Sequence, residues 1–169
     1  MANYIEVELY GRAIRYYDET HVEMEFRNFS ERWYKISVTA TTKGYNTLVI
    51  NMHGKNKYIQ MHRLVFFIHH PSWNIYDSSK DNVIDHIDGN KANNKIENLQ
   101  CVTNHENLMN IKKTKGYSLN KGRGKKWKAS IRVNGKSIHL GNFDTEEEAH
   151  NAYLIGKAKY HIICPKSFP

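Results

Sequence analysis

The most constraining feature of the chain is the segment of residues 83–110, which reads VIDHIDGNKANNKIENLQCVTNHENLMN. Residues 83–87 and 97–102 are short segments that contain β-forming apolar residues such as Val83, Ile84 and Val102, and they predict two strands. The turn-forming residues 88–95 between them must be a loop. The segment therefore begins as a strand, a loop and a second strand.

A helix is expected to follow the second strand. Thr103 and Glu106 have the spacing of a capping box, in which each side chain satisfies a free backbone amide at the start of a helix. This helix is predicted to end near Lys113, where positive side chains suit the helix dipole. Two strands and a helix over residues 83–112 form a ββα unit.

Four polar residues of this unit are candidates for metal binding and proton transfer. Asp85 and Asn107 both offer oxygen atoms, which hold a hard divalent cation such as Mg²⁺, with Mn²⁺ as a second possibility. With two protein ligands the ion would keep waters and bind substrate phosphate. His86 should point to the opposite side of the strand from Asp85 and can take a proton from water. Asn98 can be neither acid nor base, and is expected to bond the backbone near His86 and fix its imidazole.

Other residues could fill the same roles. His105 lies two positions from Asn107, so on a helix the two cannot both face the metal. Asn104 and Asn110 share the face of Asn107 and are the closer rivals for metal binding. His62 is a candidate for contact with substrate phosphate, although a structural hydrogen bond explains it equally well.

The motif resembles a known family. D85-H-I-D-G-N-K-A-N-N-K-I-E-N-L99, followed by V-T-N-H-E-N107, resembles the HNH endonucleases, in the HNN-type branch of phage and intron homing endonucleases. Residues 58–65 resemble the segment that leads into this motif. The resemblance implies that His86 is the general base, Asp85 and Asn107 are metal ligands, and Asn98 is the scaffolding asparagine.

The residues before this motif read mainly as strands, closed by one helix. Gly11 and the Asp18–Thr20 turn signal are expected to separate the first two strands. The helix is expected at residues 62–70, before Pro71. The predicted strands cover residues 4–10, 21–26, 33–39, 45–52 and 57–61.

The C-terminal part predicts a sheet covered by a helix. Residues 126–134 alternate, with the apolar residues Trp127, Ala129, Ile131 and Val133 on one face. Asn134-Gly135 is a hairpin turn signal, and residues 136–140 return as a strand. Thr145 and Glu148 form a second capping box before a helix at residues 146–160. Its Ala149, Ala152, Tyr153, Gly156 and Tyr160 should cover the apolar face.

This module is similar to the DNA-binding domain of plant ethylene-response factors, in which three antiparallel strands enter the major groove. The resemblance covers W127-K-A-S-I-R-V and S137-I-H-L-G-N-F-D-T-E-E-E-A-H-N-A-Y153. It implies that Ser130, Arg132, Ser137 and His139 face DNA bases, although His139 replaces the aromatic residue usual in that family. The lysines expected to contact phosphate are Lys121, Lys125, Lys126, Lys128 and Lys136.

The bulk composition supports a polyanionic partner. The net charge is +8, and residues 112–136 carry ten Lys or Arg and no acid. Two cysteines provide neither a disulfide framework nor a cysteine-rich zinc site. Without a signal-peptide-like or membrane-length apolar run, a soluble intracellular protein is expected. The resemblance to homing endonucleases implies that its setting is the cytoplasm of a cell infected by a phage or virus.

Together these patterns predict an α+β protein. Residues 1–112 are expected to form a β-rich endonuclease part, and residues 116–163 a three-stranded sheet packed on one helix. The predicted function is metal-dependent, sequence-directed hydrolysis of double-stranded DNA, by a monomer or homodimer without a small-molecule cofactor. A DNA-binding regulator with a silent nuclease part is the alternative, and a structural or RNA-binding basic protein is a third possibility.

Overall fold

A computed structural model describes residues 3–25, 32–52, 54–110, 115–120 and 126–168. Within these ranges the chain combines α-helices with antiparallel sheets, which confirms the predicted α+β class. In the same ranges no helix has the length and apolar content needed to cross a membrane.

The chain divides into two compact units. The first contains Met1–Val102 together with Pro165–Pro169, and the second contains Thr103–Cys164. The second unit thus begins with the capped helix of the predicted ββα segment. The predicted division into residues 1–112 and 116–163 stays a prediction.

The described part of the first unit contains three antiparallel sheets and one α-helix. The strands are β1 Ile5–Leu9, β2 Arg12–Asp18, β3 His21–Glu25, β4 Trp33–Lys35, β5 Val38–Ala40, β6 Asn46–Met52, β7 Lys55–Gln60, β8 Val83–His86 and β9 Leu99–Val102. Strands β1 to β4 form one sheet, β5 to β7 a second, and β8 pairs with β9. Helix α1, Met61–His69, packs against β6, β7 and β8.

The hydrophobic core of this unit forms where the apolar faces of these strands and of α1 pack together. Each strand contributes alternate residues, as the twofold period of a strand requires, and α1 contributes the helical stripe of Met61, Leu64, Val65 and Ile68. The strand residues in the core include Leu9, Ile14, Val22, Met24, Leu48 and Ile50. This core supports α1 and β8, the elements that carry His62, Asp85 and His86.

Strand β2 is an addition to the predicted strands. Its Ile14 and Tyr16 are buried and its Arg15 is on the other face, so the segment does alternate. Arg15 is stacked between two aromatic rings, with its guanidinium carbon 4.5 Å from the Tyr4 centroid and 3.7 Å from that of Trp33. This arginine makes the strand look polar in the sequence.

Two predicted strands are interrupted. The strand expected at residues 33–39 is split into β4 and β5, which belong to different sheets. The strand expected at residues 97–102 begins instead with a 3₁₀ turn, Ile96–Asn98, because the Asn98 amide donates to the Lys95 carbonyl at 2.9 Å. Helix α1 and the strand at residues 83–86 are confirmed.

In the second unit, the described residues form a three-stranded antiparallel sheet and two helices. Its strands are β10 Tyr117–Asn120, β11 Lys126–Val133 and β12 Lys136–Phe143. Its helices are α2 Asn104–Met109 and α3 Glu146–Tyr160. Both predicted capping boxes are present. Helix α2 ends at Met109, before the expected end near Lys113, which lies outside the described residues.

Helix α3 packs on the sheet of this unit. Its Ala149 and Tyr153 and the strand residues Ala129 and Ile131 are buried, as the alternation predicted. Gly156 is needed at this contact, because a Cβ atom there would lie 2.8 Å from a Leu140 methyl carbon. On the opposite face of the sheet, Lys128 and Arg132 are exposed.

The turn between β11 and β12 is the predicted hairpin. Asn134 and Gly135 have φ values of 48° and 78°, as a type I′ turn requires. Val133 therefore pairs with Lys136, which fixes the register of the two strands.

Candidate active site

The loop between β8 and β9 is built by asparagine and aspartate side chains that bond to its own backbone. Asp88 Oδ1 accepts from the Asn90 amide at 2.7 Å, and its Oδ2 accepts from Asn93 Nδ2 at 2.7 Å. Gly89, with φ of 74°, donates its amide to the His86 carbonyl. The Asn93 side chain, followed by the Asn90 amide, lowers the pKa of Asp88, so the carboxylate that organises this loop stays charged.

Asn98 ties the two ends of the loop together. Its Oδ1 accepts from the Asp88 amide at 3.0 Å. Its Nδ2 donates to the Asn93 carbonyl at 2.8 Å and to Asp88 Oδ1 at 3.0 Å. Asn98 is 8% exposed, so these bonds satisfy an amide that would otherwise be costly to bury. The side chain thus contacts the chain two residues after His86.

Asp85 and His86 are neighbours on β8, and successive side chains of a strand point to opposite faces. Both are buried, with 8% and 3% exposure. Asp85 pairs with Gln100 across the two strands, and Gln100 Nε2 donates to Asp85 Oδ2 at 3.0 Å. The strand pairing therefore holds the carboxylate in place.

The imidazole of His86 lies in a pocket of polar and aromatic groups. Its Nε2 is 3.2 Å from Asn94 Oδ1. The His62 ring contacts it edge to face, with centroids 5.0 Å apart, and the Tyr45 centroid is 6.1 Å away. These contacts restrict the orientation of the ring.

His62 is 4% exposed, and its Nδ1 has no hydrogen-bond partner among the described residues. Burial, with a smaller contribution from the nearby His86, lowers the pKa of His62 to about 3. His62 is therefore neutral at pH 7. A neutral, buried ring is a poor phosphate ligand, so the structure favours a packing role.

The predicted metal ligands lie in different units. Asp85 belongs to the first unit, and Asn107 belongs to the second, on α2. Their pairing, and the alternatives Asn104 and Asn110, stay predictions. His105 is exposed, whereas Asn107 is half-buried.

The chemistry of the donors fits a divalent cation. Asp85 offers a carboxylate and Asn107 an amide oxygen, the hard donors that Mg²⁺ accepts in proteins. Among the described residues, no group of three or more His, Cys, Asp or Glu side chains could hold a metal.

The predicted DNA-facing residues lie together on the hairpin of the second unit. Ser130 pairs with His139, and Arg132 pairs with Ser137, so these four side chains are direct cross-strand neighbours. Arg132 Nε donates to the Gly135 carbonyl at 3.4 Å.

The lysines differ in their surroundings. Lys126 pairs with Asp144 at 2.9 Å, an exposed pair of small energy. Lys128 and Lys136 are exposed. Lys121 and Lys125 lie outside the described residues.

Three residues that contact this site were not predicted. Gln100 reaches it through strand pairing and Tyr45 through packing of its ring. Asn94 lies in the asparagine-rich loop, and nothing in the local sequence distinguishes it from the less buried asparagines beside it.

Comparison with known proteins bears directly on this segment. Residues 60–109, which include α1, β8, β9 and α2, match the family model of the HNH endonucleases. These residues are therefore similar to an HNH endonuclease domain. This match supports the resemblance seen in residues 85–107, while the resemblance to ethylene-response factors stays a prediction.

Two relatives share part of their length with the chain. YosQ of Bacillus subtilis, whose name describes an SPbeta prophage-derived HNH homing endonuclease, is 42% identical over 60 residues, 36% of this chain and 31% of its own. An uncharacterized HNH endonuclease, L560 of Acanthamoeba polyphaga mimivirus, is 33% identical over 104 residues, 57% of this chain and 50% of its own. The chain thus spans 31% of the length of the first relative and 50% of the length of the second. No solved structure matches the chain.

Proposed function

We propose that the chain is a metal-dependent, sequence-directed DNA endonuclease of the homing type. The observation that carries this proposal is the arrangement on β8: Asp85 and His86 point to opposite faces, and the Asn98-braced loop follows directly. This arrangement lies inside the segment that matches the HNH endonucleases.

His86 is proposed to remove a proton from a water molecule, and the resulting hydroxide attacks the phosphorus of the scissile phosphate. Asn98 holds the loop that follows His86 and so keeps the imidazole directed at that water. Asp85 and Asn107 are proposed to hold one Mg²⁺ or Mn²⁺. Such an ion would stabilise charge on the phosphate and on the leaving 3′ oxygen.

The hairpin of the second unit is proposed to select the DNA sequence. Arg132 can donate two hydrogen bonds to guanine, and its neighbours Ser130, Ser137 and His139 share its face. Lys128 and Lys136, with Lys121, Lys125 and Lys126, would contact phosphates and provide affinity without sequence information.

One such site cuts one strand, so a monomer is expected to nick DNA, and a double-strand break requires a dimer or two events. The names of the two relatives place them in a prophage and in a giant virus. We propose the same setting for this protein, an infected or lysogenic cell.

The test is incubation of the full chain with supercoiled plasmid and Mg²⁺ or Mn²⁺, with EDTA as the metal-free control. Asp85→Asn should abolish nicking, whereas Asp81→Asn, an exposed aspartate four residues earlier, should nick like the wild type. DNA binding without any nicking would assign the chain to the silent regulator instead.

A further inference from the structure

Asn94 is the buried amide of a loop, residues 88–95, whose other residues are exposed or, at Asn93, half-buried. It is 2% exposed, while Asn90 of the same loop is exposed. Burying an amide costs free energy unless hydrogen bonds replace its water. The hydrogen bonds of Asn94 therefore indicate why it is buried.

These bonds fix which way the Asn94 amide faces. Its Nδ2 donates to the Ala92 carbonyl at 3.3 Å, and a carbonyl can only accept. Its Oδ1 is consequently the atom that lies 3.2 Å from His86 Nε2. An amide oxygen can only accept, so Nε2 of His86 must carry the hydrogen of this bond.

A neutral imidazole carries one N–H, so a hydrogen on Nε2 leaves the lone pair on Nδ1. We propose that Asn94 is a positioning residue that holds His86 in the Nε2–H tautomer, so that Nδ1 is the atom that accepts the proton of water. This proposal rests on the proposed role of His86 as the base, and it adds Asn94 as the residue that positions the ring.

The aromatic contacts of His86 support the same role. His62 lies edge to face against the His86 ring, and Tyr45 lies near both rings, with its centroid 5.2 Å from that of His62. These neighbours restrict rotation of the ring, and the bond to Asn94 selects its tautomer. A ring held only by packing could carry its hydrogen on either nitrogen.

The tautomer can be observed without any variant. Long-range ¹H–¹⁵N NMR of the full chain, with ¹⁵N-labelled histidine and at a pH where the ring is neutral, distinguishes the two nitrogens of His86. The expected spectrum shows a protonated Nε2 and an unprotonated Nδ1. A spectrum with the hydrogen on Nδ1 would overturn the proposal.

Variants then test the part played by Asn94. Asn94→Ala should mix the two tautomers and lower kcat for nicking about tenfold, with KM changed less than twofold. Asn94→Asp retains an acceptor oxygen and should retain the Nε2–H signature. Asn90→Ala, a matched asparagine of the loop, should give the wild-type spectrum.

The outcomes separate the two proposals. If Asn94→Ala folds and keeps a pure Nε2–H signature, Asn94 does not set the tautomer. If Asn94→Ala fails to fold, the wild-type and Asn94→Asp spectra still decide the assignment. If the wild-type protein shows the Nε2–H tautomer yet never nicks DNA, the proposed function fails and the tautomer assignment stands.

Discussion

The loop around His86 and the hairpin of the second unit use polar residues in opposite ways. Around His86 the polar side chains are buried, with Asn94 at 2% and Asn98 at 8% exposure, and they bond to fixed protein atoms. On the hairpin, Arg132, Ser137 and His139 are exposed.

The difference corresponds to two physical tasks. Chemistry needs groups held in one geometry, because small displacements cost much of the rate. Binding to DNA, the task proposed for the hairpin, needs long, solvated side chains. Their charge attracts the DNA phosphates before any close contact forms. Changes near His86 should therefore affect rate or stability, and changes on the hairpin should affect affinity or sequence preference.

The largest effect is expected at His86. His86→Ala removes the proposed base, so nicking should fall by about a hundredfold or more while DNA binding is retained. Plasmid nicking rates and gel-shift affinities measure the two effects. His69→Ala, an exposed histidine of α1, is the control. Unreduced nicking by His86→Ala would remove this residue from the mechanism.

The next largest effect is expected at Asn98. Asn98→Ala removes three hydrogen bonds of a buried side chain, one of them from the Asp88 amide, so stability should fall by about 3 kcal/mol. Urea unfolding of this variant and of Asn90→Ala gives the comparison. Equal urea midpoints for the two variants would show that the hydrogen bonds of Asn98 do not contribute to stability.

A pH effect is expected at His62. The unfolded chain binds a proton at this residue below about pH 6.5, whereas the folded chain does so only near its pKa of about 3. Stability is therefore full above pH 6.5 and is lost as the pH falls, by about 2 kcal/mol at pH 5.

His62→Gln cannot bind this proton in either state. The stability that the wild type loses between pH 7 and pH 5 should therefore be smaller in this variant by about 2 kcal/mol. Unfolding in urea at pH 7 and pH 5 measures the difference, with His69→Gln as a control that keeps the wild-type dependence. A wild-type pH dependence in His62→Gln would contradict the prediction.

The smallest effect is expected on the hairpin. Arg132→Ala should weaken discrimination between target and non-target DNA by about 1 kcal/mol, since the side chain is exposed. Lys128→Ala should instead weaken binding to all sequences equally and reduce its salt dependence. Competition binding at several salt concentrations separates the two. An unchanged site preference in Arg132→Ala would count against base contact.

The sequence predicts the features that depend on neighbouring residues. The turn at Asn134-Gly135 needs only positive φ values, and the capping boxes at Thr103 and Thr145 need only residues three positions apart. The strand of Asp85 and His86 is also correctly predicted, because its apolar neighbours bury it.

Features that depend on distant residues are not predictable in this way. Asn94 is one of several similar asparagines, and only its contact with His86 distinguishes it. Gln100 reaches Asp85 through strand register. The strand that contains Arg15 appears polar, because the aromatic rings that cover this arginine come from elsewhere in the chain, Tyr4 just before β1 and Trp33 on β4.

The most direct test of the proposed site is a crystal structure of the chain with a DNA duplex and Mn²⁺, in which anomalous scattering locates the ion. We expect one Mn²⁺ roughly 2.0–2.3 Å from an Asp85 carboxylate oxygen and the Asn107 amide oxygen, with phosphate oxygen also bound. An ion bound elsewhere, or none beside Asp85 with the duplex in place, would contradict the proposed catalytic site.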